Sequence, residues 1–193
     1  MVVTQLIIGL GNPGGEYART RHNVGWMCID ELERRGKFGR ERREGVSRVR
    51  EGTIDGYDVL IARPHTYMNL SGKAAAQLTS KHGATPGDVI VIHDEADFPL
   101  GRVKIKLGGS AAGHRGVQSL IDSWRSDAFP RIRIGIGRDG DSNDLIEHVL
   151  DPFLPEERAN AEAAITRAAE MAVAIMRDGV AAAMNFWNRA GTD

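Results

Sequence analysis

The sequence predicts a three-layer α/β/α domain built on a twisted, mixed β-sheet, with residues 1–193 forming one unit. Three observations predict it. Residues 5–10 and 88–93 are short apolar, β-branched runs of the kind found in strands buried on both faces. Segments with helical apolar spacing alternate with such strands along the chain, the signature of a layered α/β architecture. No repeat, low-complexity stretch or linker divides the chain, and a domain of this length buries roughly 70% of its unfolded surface.

Residues 23–35 carry Val24, Met27, Cys28 and Leu32 at helical spacing, and Gly36 closes the helix. Residues 45–52 and 57–63 form a strand pair through Asp55-Gly56, a hairpin turn signal. Residues 70–82 are Ala-rich and helical, closed by Gly83. In residues 101–107, apolar Val103, Ile105 and Leu107 alternate with basic Arg102, Lys104 and Lys106, so one strand face packs and the other is charged. Residues 117–124 read as a short helix and 131–136 as another alternating strand. A long helix is expected over 155–177 with Pro155 in its first turn, and a last one over 180–188.

Composition narrows the function classes. Hydrophobic residues make up 41% and charged residues 26% of the chain, as in ordinary soluble proteins. Cys28 is the sole cysteine, which excludes an intrachain disulfide and a cysteine-based zinc site and suits a reducing cytoplasm. The first residues read as a strand and not as a signal peptide, and no apolar run has the ~20 residues of a membrane span. Net charge is −1, which argues against general nucleic-acid binding. Its distribution is uneven, however. Residues 99–138 hold eight Lys/Arg against two Asp/Glu, and residues 139–193 hold four Arg against eleven acids. A basic stripe on a near-neutral protein can meet a polyanion at one defined place; chance clustering of surface charge is the bland alternative.

Gly9-Leu10-Gly11-Asn12-Pro13-Gly14 formally matches the dinucleotide-binding fingerprint. Such a site needs a helix opening directly on the glycines. Here Pro13 interrupts the turn, and residues 15–22 intervene before the first helix. Asp30 and Glu31, at the distance of the ribose-binding acid, fall inside that helix. Asn12 instead stands at a strand's C-terminal end, where open α/β sheets place ligands, although turn chemistry alone also accounts for an Asn there.

His22 precedes the first helix and Asp94 follows the strand at 88–93, so both can meet at one rim of the sheet. A carboxylate on one ring nitrogen fixes the tautomer and leaves the other nitrogen to take a proton from water near neutral pH. A structural His–Asp pair is the equal alternative. No Ser, Thr or Cys has the setting of an activated nucleophile, since Ser71 and Thr66 lack a G-x-S-x-G elbow. The segment His93-Asp94-Glu95-Ala96-Asp97 lacks the spacing of a zinc helix or a calcium loop, so no metal is expected.

Taken together, the segments L-I-I-G-L-G-N-P-G-G-E-Y (6–17), T-R-H-N-V-G (20–25), P-H-T-Y-M-N-L-S-G-K-A (64–74), V-I-H-D-E-A-D (91–97), K-I-K-L-G-G-S-A-A-G-H-R-G (104–116) and R-I-R-I-G-I-G-R (131–138) resemble the bacterial peptidyl-tRNA hydrolase family. The resemblance covers most of the first 140 residues in family order. It implies that His22 is the catalytic base, Asp94 its orienting acid and Asn12 the amide that binds the ester carbonyl. It implies that Asn69, preceded by Met68, holds the peptide backbone and that Tyr17 walls the site. Lys104, Lys106 and Arg133 are implied to face tRNA phosphates. It further implies a cytoplasmic, cofactor-free monomer whose partner is peptidyl-tRNA. One departure stands out: the family commonly has Asn after the histidine of G-H-x-G, and this chain has Arg115. Arg115 remains counted with the substrate-binding residues, either donating in the cleft and lowering the pKa of His22 or pointing to tRNA phosphate. His114 reads as structural, and residues 140–150 resemble a lid over the cleft. Two other classes compete, a non-catalytic RNA-binding relative and an unrelated small-molecule hydrolase or nucleotide-binding enzyme.

Overall fold

The structure, a computed structural model, describes residues 5–138 and 145–190. In chain order its strands are β1 (Gln5–Gly9), β2 (Lys37–Phe38), β3 (Arg42–Glu44), β4 (Ser47–Ile54), β5 (Tyr57–Pro64), β6 (Val89–Glu95), β7 (Val103–Leu107) and β8 (Pro130–Gly135). The helices are α1 (Val24–Arg35), α2 (Ser71–His82), α3 (Arg115–Trp124), α4 (Leu145–Leu150), α5 (Arg158–Asp178) and α6 (Val180–Ala190). The strands form one sheet in the order β2-β4-β5-β1-β6-β8-β7, with β3 also paired to β4. β5, β1, β6 and β8 run parallel, and the pairs β4/β5 and β7/β8 are antiparallel. The expected mixed sheet is therefore a parallel centre with antiparallel margins.

Helices cover both faces, giving the three layers. Successive residues of the central strands alternate between two cores, as the period of two requires. Ile7, Ile90, Ile92, Ile132 and Ile134 pack with α1 and α5. Leu6, Ile8, Val89 and Val91 pack with Leu78 of α2 and Val117 and Leu120 of α3. Cys28 lies fully buried on the apolar side of α1, where burial, aided by Glu31, pushes its thiol pKa up and keeps it unreactive. No helix among the described residues is long and apolar enough to cross a membrane.

The sequence-based boundaries hold with instructive differences. Asp55-Gly56 makes the β4–β5 turn with both residues at positive φ, 49° and 85°. Gly83 caps α2 in the left-handed region at φ 64°. Gly36 ends α1 in extended geometry instead, and glycine is needed there because a Cβ would lie 2.6 Å from the Thr53 carbonyl. Pro155 is not in the first turn of the long helix: a separate turn intervenes and α5 opens at Arg158. The Glu157 carboxylate accepts the Leu154 N–H at 2.7 Å, and the Leu154 carbonyl accepts the Glu157 N–H at 2.9 Å, which closes that turn. Of the expected lid, residues 140–144 lie outside the described residues, and Leu145–Leu150 form α4.

What positions the site is the order of the central strands. From β1 the chain reaches β5 on one side by way of α1, and then crosses by α2 to β6 on the other. The C-terminal ends of β1 and β6 thus flank the point where the winding reverses, the place where open α/β sheets leave a crevice. The first turn of α1 is drawn close to that point by Gly25: a Cβ there would lie 2.5 Å from the carbonyls of Leu10 and Ile92.

Candidate active site

Asp94 is the penultimate residue of β6, and His22 sits in the 3-10 turn Arg21–Asn23 that leads into α1. The structure joins them. His22 Nδ1 lies 2.9 Å from both carboxylate oxygens of Asp94. A second imidazole shares that carboxylate, with His114 Nε2 2.8 Å from Asp94 Oδ1. His114 precedes α3 as its N-cap, and its Nδ1 accepts the backbone N–H groups of Gly116 at 3.1 Å and Val117 at 3.2 Å. A nitrogen that accepts has a lone pair and no proton, so Nε2 carries the proton and donates it to Asp94. The structural reading of His114 therefore holds, but the residue is also a direct partner of Asp94. The remaining acceptor capacity of Asp94 takes the Nδ1–H of His22, leaving His22 Nε2 as the free ring nitrogen in a side chain that lines the cleft.

Charge follows geometry. Asp94 is 3% exposed. Burial alone would raise its pKa, but the two imidazoles overcome this and hold it far below the usual carboxylate range, so it stays ionised. For His22, burial pushes the pKa down, the charge and hydrogen bond of Asp94 push it up and prevail, and Arg115 opposes them weakly. His93 lies on the other side of His114, ring centroids 4.7 Å apart, and donates Nδ1–H to the Asp94 carbonyl at 2.7 Å. Burial, with His114 adding to it, holds His93 well below its ordinary pKa and therefore neutral.

Asn12 follows β1 and is nearly buried. Its side-chain oxygen accepts the Met68 N–H at 2.7 Å. That bond identifies the oxygen and leaves the amide NH₂ as the group free to donate. Asn23 grips the Asn12 backbone at both polar groups, accepting its N–H and donating to its carbonyl, each at 2.9 Å. Asn12, His22 and Asp94 line one cavity of about 440 Å³ together with Tyr17, Met68, Asn69 and Arg115. Seven residues singled out from the sequence thus converge. Asn69 and Arg115 are exposed at the mouth, whereas Met68 is buried. Leu145, Ile146, Val149 and Leu150, within the segment expected as a lid, supply an apolar wall, and its helical form is what sequence reading missed. Six residues are too short for helical periodicity to stand out.

Lys104, Lys106 and Arg133 lie outside the cavity, on neighbouring strands. β7 and β8 pair Lys104 with Arg133 and Lys106 with Arg131, so these cations share a sheet face. Lys104 and Lys106 form no salt bridge among the described residues. Arg133 is held by Glu95, through Nε at 2.9 Å and a terminal nitrogen at 2.7 Å, and lies over the Phe98 ring. Glu95 and Arg138 also line the cavity, so the basic face begins at its rim. Arg131 is buried and donates to the carbonyls of Gly109 and Ser110.

Among the described residues, His22, Asp94 and His114 offer three donor atoms within 4.8 Å of one another. They do not suit a metal ion. His114 Nε2 is protonated because Nδ1 caps α3, and a metal there would require breaking that cap. The glycine-rich turn does not suit a dinucleotide either, since α1 begins at Val24, well beyond it.

A family model described as peptidyl-tRNA hydrolase matches residues 6–193. A peptidyl-tRNA hydrolase of Thermodesulfovibrio yellowstonii is 46% identical over 187 residues, 95% of this chain and 98% of that protein. One from Aquifex aeolicus is 42% identical over 96% of each chain. The crystal structure of the peptidyl-tRNA hydrolase of Acinetobacter baumannii superposes with a TM-score of 0.88 at 33% identity, covering 96% of this chain and 94% of that one. On the extent of these matches, the chain belongs to the peptidyl-tRNA hydrolase family.

Proposed function

We propose that this chain hydrolyses the ester joining peptide to tRNA in peptidyl-tRNA, with water activated by His22. The observation that carries the reading is the locked pair at the cleft: His22 Nδ1 on a buried, ionised Asp94, beside an Asn12 amide whose oxygen is already taken by Met68.

In this reading His22 Nε2 removes a proton from water as the water oxygen attacks the ester carbonyl carbon. Asp94 stabilises the imidazolium, and Asn12 donates its NH₂ to the oxygen that becomes negative. The intermediate collapses, the bond from carbon to ribose oxygen breaks, and the imidazolium returns its proton to that oxygen. Free tRNA and the peptide acid leave, the acid giving its proton to solvent to become a carboxylate. An ester has a far better leaving group than an amide, so one base and one oriented donor suffice. General base catalysis contributes roughly 10²–10⁴ in rate, and one oxyanion donor about 10²–10³.

Asn69 at the cavity mouth has both donor and acceptor groups, which matches a peptide backbone and is indifferent to side chains. Tyr17 and Met68 line the acyl site beneath the apolar wall of α4. Lys104 and Lys106 contact phosphates, and Arg133, half-neutralised by Glu95, borders them. Such contacts read charge and shape with little base recognition. The protein works as a monomer in the cytoplasm without a cofactor.

The reading is tested by comparing hydrolysis of an N-acetyl-aminoacyl-tRNA with that of the same acyl ester on a lone adenosine. Turnover that is much faster on the full tRNA supports it. Equal rates would make the chain a small-molecule esterase, and no turnover on either would make it an RNA binder.

A further inference from the structure

Residue 21 immediately precedes the base, and its side chain is almost entirely buried, at 2% exposure. The Arg21 guanidinium donates to the Pro152 carbonyl and to Glu157 Oε2, each at 2.6 Å, and packs over the Phe153 ring. Its backbone N–H donates to the Asp151 carbonyl at 2.9 Å, and Thr20 pairs with Pro152 as an isolated antiparallel bridge. Residues 151–157 are the chain that leaves α4 and enters α5. The turn bearing His22 is thus bound, by side chain and backbone, to the segment that fixes the end of the apolar wall.

Stability is a weak explanation for this arrangement. Arg21 is buried and Glu157 partly so, an ion pair drawn out of water gains little over apolar residues of the same volume, and Arg21 Nε is buried with no partner among the described residues. What the pair supplies is geometry. Rotating the 3-10 turn would pull His22 Nδ1 from Asp94, and freeing residues 151–157 would release Leu150 and Val149 from the cleft. α4 also has an anchor separate from this tether: His148, two residues before its end, donates to the Ile136 and Gly137 carbonyls.

We propose that Arg21 is a positioning residue that sets the base and the α4 wall as one unit, by spanning Pro152 and Glu157 from the turn that carries His22. This rests on the reading of His22 as the base. An error of about 1 Å at a reacting group can cost on the order of 10²-fold in rate.

The test measures kcat, KM and thermal stability for Arg21→Met, Arg21→Lys and the double variant Arg21→Met/Glu157→Leu, together with the proton resonance of His22 Nδ1–H. The double variant replaces the ion pair with apolar groups and so retains a folded protein if the single variant does not. Arg21→Met, or the double variant in its place, should lose roughly 10- to 100-fold in kcat, raise KM, and broaden the Nδ1–H signal. Arg21→Lys should recover part of the loss, since an ammonium can reach one of the two partners. Wild-type kcat and an unchanged Nδ1–H signal in the folded double variant would overturn the proposal and make Arg21 merely structural. His22→Ala, assayed alongside, separates the two readings: if it turns over normally the base assignment fails, and if it is inactive while Arg21→Met is normal only the positioning role fails.

Discussion

His114 Nε2 donates to the same Asp94 Oδ1 that lies 2.9 Å from His22 Nδ1, at a distance of 2.8 Å. The caps at the start of α3 fix the tautomer of His114, the tautomer fixes where its proton goes, and Asp94 is left to accept from His22. The helix start is thereby linked to His22 through one carboxylate. His114→Ala should remove an N-cap worth about 1 kcal/mol and leave a buried carboxylate oxygen short of a donor, for a total of about 2–4 kcal/mol. Urea unfolding measures this loss. The kcat should fall, but by less than on loss of His22 itself.

In the proposed mechanism His22 must be neutral to act. Asp94 raises the pKa of His22 against the effect of burial. The rate kcat/KM should therefore decline as pH falls through a value above the ordinary 6.5 of histidine, and be constant on the alkaline side of that limb. Asp94→Asn removes the raising interaction, so any residual activity should show its acid limb at lower pH. A pH–rate profile from pH 5 to 9 decides it.

Arg115 lowers the pKa of His22. Replacing it by the uncharged Asn common in the family removes that effect. The acid limb of Arg115→Asn should therefore move to higher pH than in the parent chain. An unmoved limb, measured at low ionic strength where the charge is least screened, would show that residue 115 and the base are uncoupled.

Asn23 holds both backbone polar groups of Asn12. Asn23→Ala leaves them buried and unpaired, at about 1–3 kcal/mol each, and lets the Asn12 amide drift. A loss of both stability and kcat is expected. Asn12→Ala should cost about 10²–10³ in kcat and a smaller share of stability, about 1–3 kcal/mol, because it leaves only the Met68 N–H without its acceptor. Parallel thermal melts and turnover assays distinguish the two.

Lys104 and Lys106 form no ion pair among the described residues, whereas Arg133 is bonded to Glu95. Lys104→Ala and Lys106→Ala should each weaken tRNA affinity and reduce the slope of log K against log salt by roughly 0.7–0.9, the value for one released counterion. Arg133→Ala should change the slope less, since its charge is already partly answered.

Much of this was legible before the fold was known, and the reasons are local. β6 reads as Val-Ile-Val-Ile because it is buried on both faces, and Asp94 stands where that run stops. His22 and Asn12 stand at boundaries that glycines and helix starts mark. The missing pieces are long-range or short. The tie from Arg21 to Glu157 spans 136 residues and leaves no trace in any window. β2 and β3 have two and three residues, with exposed Lys37, Arg42 and Arg43 and no alternation to detect. Pro155 pointed to a helix start, but Glu157 is drawn into a turn by the Leu154 N–H and toward Arg21, so α5 begins later. His114 needed the carboxylate across the cleft to show its second role.

The central claim is that His22 takes the proton from water. Single-turnover hydrolysis of peptidyl-tRNA by His22→Ala, with tRNA affinity measured on the same preparation, tests it most directly. A rate lower by about 10²–10⁴ with affinity unchanged is the predicted result. A rate within a few-fold of the parent chain, at equal affinity, would contradict it.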